Sequence, residues 1–343
     1  MKKQTLKENG ITLIVLVISI IVLIILAGVS IAMIVGENGI ITQTQKAKVN
    51  LELAEKQEKK DMRELESEMN EIITGIEVEQ VTDENPGILE GSGTDTDPYT
   101  INSIEDLVFF AYDVTNGNNY EKKTVKLVTS LDFNSSKSYV EPFRSDYGKY
   151  GYDGELKTML TSGEGFKSIG ITTTDDRARN FSGTFDGNNN FINNLYINIT
   201  NLSGTEKRGL FANNYGIISN IQLSNVNMTI NVPENQNKQQ LGGICGQNNG
   251  TIDSCSVSGK ISLNCSSGIV AGITPYEGSN SSITRSVNKA DITIIGNTSN
   301  SGAGGICASL GGIINNCYNE GFIYGKTAEQ GSIFIGGIAG YGS

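Results

Sequence analysis

The chain has 343 residues, with 26 Lys and Arg against 37 Asp and Glu for a formal charge of -11, and it holds no histidine and no tryptophan. The missing histidine excludes imidazole bases, Ser-His-Asp and Cys-His pairs, HExxH zinc sites and histidine-driven pH switching. Its 41 glycines stand well above an ordinary usage of about 7%, which favours a fold of tight corners and small side chains.

Residues 1–10 are a short basic leader with Lys2, Lys3 and Lys7, and Ile11 to Val35 then runs 25 residues without a charge. As a helix at 1.5 Å per residue this segment is about 37 Å long, enough to cross a hydrocarbon core of about 30 Å. The lysines place its N-terminus in the cytoplasm, so residues 11–35 are expected to contact membrane lipid as a single-pass span with the rest of the chain outside. A secretory signal peptide, cut near Ser30 and Ala32, is the competing expectation, but its apolar core would run only about 7–15 residues.

The sequence KENG followed by ITLIVLVISIIVLIILAGVSI resembles the prepilin leader of type IV pilins and pseudopilins. That resemblance implies cleavage after Gly10 by a prepilin peptidase and a methylated mature N-terminus at Ile11. Most assembling pilins have a glutamate at the fifth mature position, where this chain has Val15. The carboxylate that would pair with a neighbouring subunit's N-terminus in an apolar filament core is therefore missing.

Residues 36–75 form a charged segment in which Met62, Leu65, Met69 and Ile72 recur at helical spacing, which predicts a helical stalk with one apolar stripe. Residues 76–98 are acidic and rich in turn formers, and predict a linker. Asp95 and Asp97 lack the spacing of an EF-hand loop and are expected to serve turns.

Residues 99–208 are expected to be a β-rich lead-in. Ser103-Ile104-Glu105-Asp106 opens a capping box ahead of the apolar run Leu107–Tyr112, which predicts a short helix between strands. Farther on, FSGTFDGNNNFINNLYI predicts short strands joined by a turn at Asp186–Gly187.

From residue 209 to 343 the chain repeats a unit of Gly-Gly-Ile-small-Gly, a turn and alternating strands. Units begin at Gly209, Gly242, Gly268, Gly304 and Gly336, and the fifth is incomplete at Ser343, which reads as an uncapped end or a piece of a longer protein. A period in this range signals a solenoid. Gly209, Gly242, Gly243, Gly268, Gly304, Gly305, Gly336 and Gly337 are expected at its corners, where glycine accepts positive φ without steric cost. One inward ladder is expected to hold Phe211, Cys245, Ala271, Cys307 and Ala339, and another Ile221, Cys255, Ser286 and Cys317. Asn248 is expected to be exposed. The repeats resemble the GLUG motif of bacterial surface proteins, among them adhesins and large extracellular peptidases, which implies a parallel β-helix at the cell surface.

Cys245 and Cys307 are expected two turns apart, as are Cys255 and Cys317, so each pair would be separated by about 10 Å, beyond the roughly 7 Å that a disulfide spans between Cα atoms. They are expected to be buried small hydrophobes, while pairing of Cys265 with Cys255 stays open.

The fold class expected is thus an N-terminal transmembrane or pilin-like helix with a charged helical stalk, then a mostly β region, a parallel β-helix with a short lead-in helix. The function expected is that of a membrane-anchored bacterial surface protein, adhesin-like or structural, presenting an elongated, non-catalytic solenoid to a carbohydrate or protein ligand. No metal or cofactor is expected. Residues 181–343 carry seven basic and eight acidic residues, so no basic stripe offers itself to nucleic acid. Two alternatives compete with this: a minor pilin or pseudopilin of a type IV pilus or type II secretion-like machine, and a β-helix enzyme acting on polysaccharide. The enzyme would need two carboxyls about 5–10 Å apart, with Asp186 and Asp253 as candidates.

Overall fold

The computed structural model describes residues 16–24, 26, 89–134, 150, 156–202, 204–296, 301–327 and 332–342. The chain divides into two compact units, Met1–Thr82 and Asp83–Ser343. In the first, residues 16–24 and 26 are helical, and their large apolar side chains are 48 to 65% exposed. Among the described residues no helix is long and apolar enough to cross a membrane. The processing site at Gly10 and Ile11, the remainder of the expected span, the stalk 36–75 and residues 76–88 of the linker lie outside the described residues.

The second unit is a parallel β-solenoid with four faces. Successive turns repeat one order of strands: five residues at Lys238–Gly242, four at Cys245–Asn248, three at Thr251–Asp253 and ten at Ser256–Cys265, then again from Ser267. Each strand pairs in parallel with its equivalents one turn away, giving, among the described residues, sheets of seven, eight, five and five strands. No single turn could bury its own apolar face, but stacked turns can, each serving as template for the next.

The three-residue face shows how the sequence drives this. Tyr99, Val125, Phe185, Ile218, Ile252, Ile283 and Ile314 occupy one position on successive rungs. The five between Tyr99 and Ile314 are fully buried. Each such side chain withdraws enough apolar surface to contribute about 1.5–3 kcal/mol. The ladder is continuous through residue 208, so the strands of 99–208 belong to the same sheets as the repeats.

The lead-in helix forms as the sequence predicts. It spans Ile104–Thr115, with Ser103 accepting from the Asp106 backbone and Asp106 accepting in return. Its Phe110 ring lies 5.7, 6.0 and 6.4 Å from those of Phe181, Phe185 and Phe211. The first end of the core is thus filled by aromatic rings, whereas later turns use Ile, Val and Cys. At Asp186–Gly187 the chain does turn, but this is a corner between two faces, since the strands Thr184–Asp186 and Phe191–Asn193 belong to different sheets.

The expected repeat register is three residues off in the third unit. Gly242 pairs with Ala271, Ala271 with Gly304 and Gly304 with Gly336, whereas Gly268 pairs with Gln239 inside a strand. The Gly at 268 drew the sequence alignment to itself, although the corner position there is held by alanine. The inward ladder accordingly runs through Phe211, Cys245, Thr274, Cys307 and Ala339, with Thr274 in place of Ala271. The second ladder, Ile221, Cys255, Ser286 and Cys317, is in register as expected, linked by bonds such as Ser256 N to Ile221 O and Val287 N to Cys255 O.

Candidate functional site

The corner glycines act through space and not through φ. None of Gly209, Gly242, Gly243, Gly268, Gly304, Gly305, Gly336 and Gly337 lies in the left-handed region. A side chain on Gly243 would run into the Gly272 carbonyl and Val257, and one on Gly305 into the Gly337 carbonyl and Asn319. Gly337 faces open space. The left-handed corners belong to other residues: Asn220, Ser254, Arg285 and Asn316, at φ 54, 54, 49 and 53° on successive turns. Asparagine tolerates this conformation, which explains two of the four; residue type carries no such signal at Ser254 or Arg285.

A polar ladder runs inside the core. Asn214 donates its side-chain amide to Asn248 Oδ1 at 2.8 Å, and Asn248 donates to both carboxylate oxygens of Glu277 at 3.2 and 3.1 Å. All three are fully buried, which corrects the expectation that Asn248 is exposed. Its side chain also serves the turn at Gly250, accepting from that residue's N–H and donating to its carbonyl. Burial pushes the Glu277 carboxyl up to about 7, against the opposing hydrogen bonds from Ser281 and Asn248. Such a group is costly to charge in an apolar interior.

All five cysteines are free thiols, four buried and Cys317 partly so. Burial raises every one of them, Cys255 and Cys265 to about 12, which keeps them protonated and poorly nucleophilic at neutral pH. Cys265 pairs in register with Val232, at the far end of the long strand that follows Cys255, so the open pairing of those two is removed.

Asp186 and Asp253 share one rung position with Ser219 between them. Two strand spacings separate them by about 10 Å. Neither carboxylate stands alone: Asp186 takes Lys126 at 3.8 Å and the Asn220 amide at 3.0 Å, and Asp253 takes Arg285 and the Thr284 hydroxyl. Asp95 and Asp97 serve the turn before the first strand, Asp95 accepting from Thr124 at 2.6 Å and Asp97 from the Ser92 backbone at 2.9 Å.

The outward side of the long-strand face is polar and weakly charged. Asn227, Thr229 and Asn231 lie beside Lys260, Ser262 and Asn264, which lie beside Asp291, Thr293 and Ile295. Asn264 donates to Asn231 across the rung at 2.8 Å. This is a surface of amides and hydroxyls repeated at strand spacing, suited to many weak hydrogen bonds.

No family model matches the chain. Over 189 residues, 54% of its length, it is 25% identical to Halomucin of Haloquadratum walsbyi, and it spans only 2% of that protein. A crystal structure of a Bacteroides ovatus protein, provisionally described as an immunoglobulin A1 protease, aligns with 73% of this chain and 86% of its own at a TM-score of 0.35 and 16% identity.

Proposed function

We propose that this is a bacterial cell-surface protein, anchored in the membrane by residues 11–35 and adhesin-like or structural in role, with the solenoid as its contact surface. The observation that carries this is the outward ladder of Asn, Thr and Ser at equivalent positions on successive turns, a broad face built for binding without chemistry. The uncharged run of residues 11–35 supports the anchor, and the likeness to Halomucin, a mucin by its name, supports the surface location. The repeats are read as GLUG-like, and the leader as a prepilin leader cut between Gly10 and Ile11.

Protease treatment of intact cells tests the surface location. Peptides from residues 99–342 should be released while cytoplasmic proteins stay whole. Retention of the full chain until the cells are lysed would overturn it. The pilin alternative is favoured by the leader sequence and opposed by Val15, and co-purification of the chain with sheared filaments would establish it.

A further inference from the structure

Beside the lead-in helix lies a cavity of about 290 Å³, walled by Tyr112, Tyr150, Glu164, Lys167, Thr172 and Arg208. That is close to the lower size of ligand pockets, about 300 Å³, and suits a single ring-sized unit. Its walls are fixed from behind. Ser168 Oγ donates to the Gly209 carbonyl at 2.8 Å, the Ile169 N–H to Leu210 at 2.9 Å, and the Lys207 N–H to Thr172 at 3.0 Å. Tyr112 meets Tyr150 edge to face at 4.9 Å between ring centres. Arg208 is held by Nε against Glu206 at 3.1 Å, both side chains about nine-tenths withdrawn from solvent. Arg208 is a wall residue of the cavity, and beyond Nε its guanidinium carries two terminal nitrogens that form a planar pair of donors.

Three features converge on one ligand chemistry. Aromatic faces pack against the C–H side of a sugar ring. A guanidinium fork donates to adjacent hydroxyls, and Glu164 and Thr172 supply acceptors. Charge decides between sugars: Glu206 lies against Arg208, and the wall carries one lysine, Lys167, and one glutamate, Glu164, so the cations are balanced in number and no net positive charge is left for an acidic group. The geometry points to this cavity as a binding subsite for one neutral pyranose unit of a glycan. The assignment rests on the surface-binding role proposed above and names its ligand class.

Titration of the full chain, in a detergent without a sugar headgroup, with the methyl glycosides of glucose, galactose, mannose and glucuronic acid tests it, read by saturation-transfer NMR. At least one neutral glycoside should bind. Arg208→Lys, which keeps the charge beside Glu206 but loses the fork, and Tyr112→Leu, which keeps apolar volume but loses the ring, should each weaken it about tenfold or more with unchanged melting temperature. Should either variant fail to fold, Thr172→Val gives the same comparison at the cavity rim. Absence of binding by all three neutral glycosides, preference for the glucuronide, or undiminished binding in every folded variant would overturn it. Protease release from cells reads surface location independently, so either proposal can fail alone.

Discussion

Asn248 and Glu277 face each other in the solenoid core, the amide of one donating to both carboxylate oxygens of the other at 3.2 and 3.1 Å. Above Glu277 the next rung offers Leu310, which supplies no further side-chain donor. The carboxyl is therefore more comfortable with its proton on. Burial raises it from an ordinary 4.5 to about 7 in the folded chain, so the native state binds more protons than the unfolded state between those values. Stability from this group is complete below pH about 4.5 and is lost as pH rises through about 7, a total of about 3 kcal/mol. Glu277→Gln should flatten that part of the profile and raise the denaturation midpoint at pH 8 above that of the natural chain. Parallel pH profiles for the two proteins would settle it.

Close approach at the corners predicts a graded response to added side chains. Gly243→Val and Gly305→Val should each cost about 1–3 kcal/mol or more, because carbonyl oxygens of the neighbouring turn occupy the space. Gly337→Ala should stay within about 0.5 kcal/mol, since its side chain would meet nothing. Chemical denaturation of the three variants gives the comparison, and equal midpoints would mean that these corners are not stacked.

The left-handed corner of the last described turn isolates backbone strain from packing. Asn316 is exposed with φ 53°, so its side chain carries little tertiary contact. Asn316→Val should cost roughly 1–2 kcal/mol, and Asn316→Gly should be nearly neutral. A Val variant as stable as the Gly variant would remove the left-handed assignment.

Thiol accessibility should follow burial. With native protein at neutral pH, a thiol reagent should label Cys317 alone and slowly, and in denaturant it should label all 5 cysteines. Rapid native labelling of Cys245, Cys255 or Cys307 would place them outside the core.

The leader makes a prediction of mass. Intact-mass measurement of the chain from native membranes should give a protein beginning at a methylated Ile11. A form retaining Met1, or one beginning near Met33, would replace the prepilin reading with an uncleaved anchor or a signal peptide.

The solenoid was legible in the sequence because its corners and its core speak in different letters. Gly-Gly-Ile marks one junction on several turns, and Ile218, Ile252 and Ile283 carry the period through the narrow face. The third turn misled where composition and geometry part company, since Gly268 matches the motif by residue type but Ala271 matches it by position. Asn248 misled for a related reason: asparagine is usually a surface residue, and only the neighbouring rungs, Asn214 and Glu277, reveal a buried ladder of amides. The cavity was not legible at all, because Tyr112, Glu164 and Arg208 come from segments far apart in the chain and carry no shared motif.

One consequence of the pairing of Gly242 with Ala271 concerns how such a gene could change length. Excising residues 242–270 would join Leu241 to Ala271, the very position that Gly242 holds, and each face would close on a partner of its own kind. Even the buried carboxyl would keep a donor, because Asn214 would come to lie beneath Glu277 where Asn248 had been. Whole-turn loss or duplication is therefore nearly silent in packing, so the number of turns is open to recombination between repeats while the cross-section is not.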